Sequence, residues 1–209
     1  MGASREKKSL RALEQERDEV AAERVAFRSE VSEVDPTRFV FLDETAVTTD
    51  MVRLYARSPR NERAVGRAPA GSYERLTLLG GLSLQGLVAS MSLKGSADAD
   101  VVTAFTEHVL VPALVPGQIV CLDNLSAHKN PRVRALIEAA GCELRSLPRY
   151  SPDFNPIEQA WSKLKGLLRS AAARTKAELE AALTELIGCI TAADAHGFFR
   201  HCGYAPTAN

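Results

Sequence analysis

Two short apolar runs, each closed by an aspartate, set the tightest limit on how this chain can fold. RFVFLD spans 38–43 and QIVCLD spans 118–123. Both are short for a helix and crowded with the β-branched and aromatic residues that suit a pleated, buried surface. Each therefore reads as a central strand that ends on a carboxylate, Asp43 in the first and Asp123 in the second. In open α/β sheets, sites gather at the carboxyl ends of strands.

The remaining segments fill in around these strands. Residues 4 to about 30 have helical composition, with Leu13, Val20 and Phe27 recurring every seven residues and Asp35-Pro36 ending the pattern. Residues 46–72 carry Pro59, Gly66, Pro69 and Gly71 among arginines and read as irregular. The apolar runs 77–84 and 87–93 meet at Gln85-Gly86, a hairpin signal. Residues 98–114 predict one helix with Val101, Phe105 and Val109 inward and Val102 beside them. A helix over 130–140 stops at Gly141, and 142–147 reads as a strand. Pro156 opens a helix to about Ala173, and a last helical region covers 176–199. Strands alternating with helices in this way predict an α/β domain.

Of the 209 residues, 45% are hydrophobic and 25% charged, the profile of a globular domain. The longest apolar stretches, such as the one ending at Leu114, are broken by Pro112 and too short for a bilayer. No membrane partner is expected, and a cytoplasmic location is. Cys121, Cys142, Cys189 and Cys202 form no CxxC pair and are expected to be reduced. Formal net charge is zero, yet Arg53 to Arg75 holds six arginines against Glu62 and Glu74. A second basic stretch runs Lys163, Lys165, Arg169. Local basic stretches in a neutral chain are compatible with DNA binding.

Three acids are candidates for chemistry: Asp43, Asp123 and Glu158. Carboxylate oxygens suit Mg²⁺, and two ions about 3.5–4 Å apart can hold the attacking and leaving oxygens of a phosphodiester. Each acid also has an ordinary reading. Glu44 is chemically equal to Asp43, and strand alternation puts only one of them on a given face. Asp123-Asn124 suits a turn. If Asn155 caps the helix and Pro156 is its first residue, Glu158 occupies the reciprocal place of a capping box. Along that helix, Ile157, Ala160, Trp161, Leu164 and Leu168 form the buried face, and Glu158, Ser162, Lys165 and Arg169 form a neighbouring stripe. Pattern and spacing alone leave these alternatives open.

The segments LDET at 42–45, CLDNLSAHK at 121–129 and LPRYSPDFNPIEQAWSKLK at 147–165 resemble the catalytic domain of mariner-superfamily DDE transposases, closest to the bacterial insertion-sequence branch. LYARSPRNERAVG and FFRHCGY look similar to the same branch, so the resemblance covers roughly 36–205. Between Asp123 and Glu158 lie 34 residues, a spacing similar to that superfamily's. The resemblance implies an RNase H-like (retroviral integrase-like) fold: a mixed five-stranded sheet flanked by helices, here with an N-terminal helical extension. It implies that Asp43, Asp123 and Glu158 bind two Mg²⁺ or Mn²⁺ ions and catalyse strand cleavage and strand transfer. The implied partners are the double-stranded DNA of transposon ends and a target, typically TA, with the protein acting as a homodimer. Asn124, His128, Arg149, Asn155, Lys165 and Arg169 are then expected to contact DNA or support the site.

Arg149 stands where relatives commonly have proline, and it offers a phosphate contact. About 35 residues precede the first strand, too few for a helix-turn-helix module. The expected organisation is therefore a helix and linker at 1–36, a catalytic domain at 37–205 and a tail at 206–209. An upstream reading frame would supply a helix-turn-helix partner, and the enzyme would associate with the nucleoid. The alternative is a catalytically silent fragment that acts as an interaction partner of a full-length transposase.

Overall fold

Strand β1 (Phe39–Thr48) lies at the centre of a sheet ordered β3-β2-β1-β4-β5. The structure, a computed structural model, describes residues 13–123 and 130–204. β2 (Arg75–Ser83) pairs antiparallel with β1 and with β3 (Gly86–Lys94). β4 (Ile119–Leu122) and β5 (Glu143–Ser146) join in parallel on the other side. The mixed five-stranded sheet of the sequence reading is present.

β1 runs on for five residues beyond Asp43, so this aspartate lies within the strand and does not end it. Thr45 and Val47 keep the inward alternation going, and β2 supplies partners as far as Thr48↔Arg75. β4 is shorter and stops at Leu122, opposite Leu42. Among the described residues, β1 has no strand partner on that side beyond Leu42.

The sheet buries both faces. Phe39, Phe41 and Val47 point to one cluster, which also takes in Ile157, Ala160, Trp161 and Leu164 of helix α4 (Pro156–Ala171). Helices α5 (Lys176–Leu186) and α6 (Ala192–His201) close this layer. Val40 and Leu42 point the other way, toward α2 (Ala99–Phe105) and α3 (Pro131–Ala139). Runs that are apolar on both faces are what a central strand covered by two helical layers demands.

Two helical segments depart from expectation. The helix expected over 98–114 is α2 followed by a π-helical turn, Thr106–Leu110, and a 3-10 turn, Val111–Ala113. A π turn holds an extra residue, which swings the inward side from Val109 to Leu110. Val102, Phe105 and Leu110 are fully buried, whereas Val101 and Val109 are only half-buried. Near the N-terminus, α1 (Asp18–Ser32) buries Val20, Phe27 and Val31, but Leu13 precedes it in a 3-10 turn and is 75% exposed. Phe27 stacks on Phe154, with ring centroids 5.7 Å apart, so α1 packs on the domain itself. The expected helical residues 4–12 lie outside the described residues.

Candidate active site

The two aspartates are brought together by register. Leu42 and Leu122 are paired across the parallel β1–β4 ladder, and Asp43 and Asp123 are the next residue on each side. Asp43 follows the alternation of Phe39 and Phe41, so it faces α4. Glu44 faces the opposite layer, which separates the two candidates that chemistry alone could not. Asp43 is 6% exposed, and Asp123 is half-buried.

Glu158 reaches the same place from α4. Its backbone N–H donates to the Asn155 carbonyl at 3.2 Å, but the Asn155 side chain makes no capping hydrogen bond. The capping box that offered an ordinary explanation of Glu158 is absent. Asp43, Asp123 and Glu158 instead line one cavity of about 440 Å³, together with Arg149, Tyr150, Ser151 and Asn155.

The electrostatics tie the acids to one another. Glu158 is exposed as a residue, yet protein crowds its carboxyl enough that lost hydration raises its pKa. The positive charge of Lys165 opposes the rise, and the negative charge of Asp123 adds to it. Lys165 stands two helical turns on from Glu158, about 10 Å along the axis. Arg169 is a further turn away, about 16 Å from Glu158 along α4. Lys163, the first member of this basic stretch, is committed elsewhere, donating to Asp194 of α6 at 2.6 Å.

The wall from 147 to 155 is anchored from outside by α1. Arg24 donates to Ser151 Oγ at 2.7 Å and holds both carboxylate oxygens of Asp153, at 2.9 and 2.6 Å. Its guanidinium also lies 4.4 Å from the centre of the Phe154 ring. Gln15 donates to the Tyr150 carbonyl. Arg149 is held by Glu23 and Glu19, so the cation expected to meet a phosphate is already matched by carboxylates. At the far side Tyr204 donates to the Phe154 carbonyl at 2.7 Å. Tyr150 adopts a left-handed backbone conformation, φ 56°, which a non-glycine residue holds only when its surroundings enforce it.

Of the residues singled out in the sequence, Asp43, Asp123, Glu158, Arg149 and Asn155 share the cavity. Lys165 flanks it and Arg169 lies further off. Asn124 and His128 lie outside the described residues. The sequence reading missed the part played by Arg24, Tyr150 and Ser151, although the last two stand within the YSPD segment it had marked.

The donor set fits a hard divalent cation. It consists of carboxylates plus the buried Asn155 Oδ1, which has no hydrogen-bond partner among the described residues. Among the described residues, no three His, Cys, Asp or Glu side chains are grouped tightly enough to hold an ion as they stand.

The sequence pattern described as "DDE superfamily endonuclease" matches residues 38–180. Among solved structures, the Mos1 transposase paired-end complex with left transposon end superposes with a TM-score of 0.75 at 16% identity. The match covers 99% of this chain and 64% of that one. The Mos1 strand transfer complex gives 0.72 at 18% identity, over 99% and 64% of the two chains. The catalytic domain of Mos1 mariner transposase gives 0.61 at 14% identity, over 92% and 93%. The chain thus spans less than two thirds of the transposase in the first two structures and nearly all of the isolated catalytic domain. At these identities the likeness establishes the fold, which is RNase H-like. No curated protein matches at the sequence level.

Proposed function

The chain belongs to the DDE superfamily endonucleases, and from that premise we propose that it is a transposase catalytic domain. It cuts DNA at transposon ends and joins the freed 3′-hydroxyl to a target, TA in this reading. The observation that carries the proposal is the shared cavity of Asp43, Asp123 and Glu158.

In this reading Asp43, Asp123 and Glu158 would hold a pair of Mg²⁺ or Mn²⁺ ions. Bound there, such ions would stabilise the negative charge that develops on phosphoryl oxygens. The protein supplies the rest by placement. The cavity beside Asp43 would admit a backbone, and Lys165 offsets charge near Glu158. Asn155 presents an oxygen from the cavity wall. Hydrolysis of one phosphodiester leaves a 3′-hydroxyl and a 5′-phosphate. Strand transfer then exchanges one phosphodiester for another, so no protein nucleophile is required.

The irregular segment between β1 and β2 favours DNA as the partner. Arg53, Arg57, Arg60, Arg63 and Arg67 are all exposed on it, and clustered arginines bind phosphates by displacing counterions. The complete enzyme would work as a homodimer, paired with an end-reading helix-turn-helix module from an upstream frame, in the cytoplasm at the nucleoid. The insertion-sequence branch remains the reading of its motifs.

Nicking of supercoiled plasmid in Mn²⁺ tests the reading. Wild type should convert plasmid to open circles, and Asp123→Asn or Glu158→Gln should lose activity by orders of magnitude. Equal nicking by all three proteins would end the proposal.

A further inference from the structure

We infer that Gly80 and Trp161 form a seat that sets how closely Glu158 approaches Asp43, which makes both of them positioning residues of the active site. The inference rests on the transposase reading for its purpose but not for its geometry.

Gly80 lies directly opposite Asp43 in the antiparallel β1–β2 ladder. Directly opposed residues point to the same face of a sheet, so the missing side chain of Gly80 leaves a gap beside Asp43, on the α4 side. The indole of Trp161 fills that gap. A methyl carbon on Gly80 would stand 2.5 Å from Trp161 Cη2 and 2.9 Å from Cζ2, inside any permissible contact. Trp161 is 1% exposed, so it has little room to yield.

Trp161 is three residues after Glu158 on α4. Residues so spaced are neighbours on the helix surface, here on adjoining stripes. The depth to which the indole sinks over β2 therefore sets the height of the first turn of α4 above Asp43. Its buried Nε1 has no hydrogen-bond partner among the described residues. An unpaired buried donor costs stability, and Phe would fill an apolar layer without that cost. The longer indole is the ring that reaches Gly80.

The adjacent Gly81 provides an internal control. Its missing side chain faces the opposite layer, where a methyl carbon would meet Leu110 Cδ1 at 3.0 Å. Gly81→Ala thus crowds the core without touching α4.

The experiment compares wild type, Gly80→Ala, Gly81→Ala, Trp161→Phe and the Gly80→Ala/Trp161→Phe double variant. Crystal structures give the Asp43–Glu158 separation, calorimetry gives Mn²⁺ affinity, and thermal melts give stability. Gly80→Ala should widen the separation and weaken Mn²⁺ binding about tenfold, the order found when groups that hold metal ligands in place are lost. The double variant lacks the outer indole ring and should restore both. Gly81→Ala should lower the melting temperature and leave Mn²⁺ affinity unchanged. An unchanged separation in Gly80→Ala overturns the inference, as does equal weakening of Mn²⁺ binding by Gly81→Ala. If Gly80→Ala does not fold, Trp161→Phe alone decides by whether it changes the separation. A changed separation in a protein whose wild type binds no Mn²⁺ counts against the transposase reading and leaves the seat standing.

Discussion

Arg149, on the wall of the cavity, is gripped from outside by Glu23 of α1, with Nη2 at 2.8 Å and Nε at 3.3 Å from its two carboxylate oxygens. The pairing holds the Glu23 carboxyl below and the Arg149 guanidinium above their ordinary ranges. A planar fork on two oxygens is also how arginine takes a phosphate. In the proposed function Glu23 would therefore compete with a DNA phosphate for Arg149. Glu23→Gln should bind duplex DNA about threefold more tightly at low salt, with the gain shrinking as salt screens both contacts. Arg149→Ala should bind more weakly than wild type. Fluorescence anisotropy over a salt series checks both.

Arg24 carries more of the attachment of α1. Its side chain is only 18% exposed, and it serves Ser151, Asp153 and the Phe154 ring together. Arg24→Ala should cost about 2 kcal/mol, combining charged hydrogen bonds with a ring contact. A urea melt measures this. A loss near the few tenths typical of an exposed ion pair would show that α1 merely rests on the domain.

Asp194 links stability to pH. Hydrogen bonds from Lys163 and from Thr191 at the start of α6 lower its pKa to about 2. A carboxyl depressed on folding contributes stability above its unfolded pKa and loses it as pH falls through the folded value. Melting temperatures of wild type and Asp194→Asn should therefore differ at neutral pH and converge between about pH 4 and pH 2. A constant gap would mean that the ion pair contributes nothing.

Ala172 ends α4 in the left-handed conformation, φ 56° and ψ 37°, with its N–H donating to the Leu168 carbonyl. Glycine takes this position without steric cost. Ala172→Gly should stabilise the protein by about 1 kcal/mol, as thermal or urea melts would show.

Much of this architecture is written into the chain's periodicities. The apolar runs at 38–43 and 118–123 specified two buried strands because only a covered sheet accepts side chains on both faces. Pro156 marked the start of α4, and the burial of Ile157, Ala160, Trp161, Leu164 and Leu168 follows its helical spacing. The second half of β1 was obscured because Asp43, Glu44, Thr45 and Thr48 interrupt the apolar run, and the strand persists through its pairing with β2. The π turn at Thr106–Leu110 leaves no trace in a 3.6-residue pattern. Two of the candidate acids stand at element ends, Asp123 just after β4 and Glu158 in the first turn of α4, whereas Asp43, expected at a strand end, lies within β1. The support of the site was not legible: the hold of α1 on 149–154 joins residues over 120 positions apart, and the seat at Gly80 depends on strand register.

The central claim is that Asp43, Asp123 and Glu158 converge on divalent metal, and calorimetric titration with Mn²⁺ tests it most directly. Wild type should show saturable binding. Asp123→Asn should abolish it, and Glu158→Gln should weaken it by about tenfold, as losing a carboxylate ligand demands. Glu44→Gln, on the opposite face of β1, should leave it unchanged. Identical titrations for wild type, Asp123→Asn and Glu158→Gln would contradict the account.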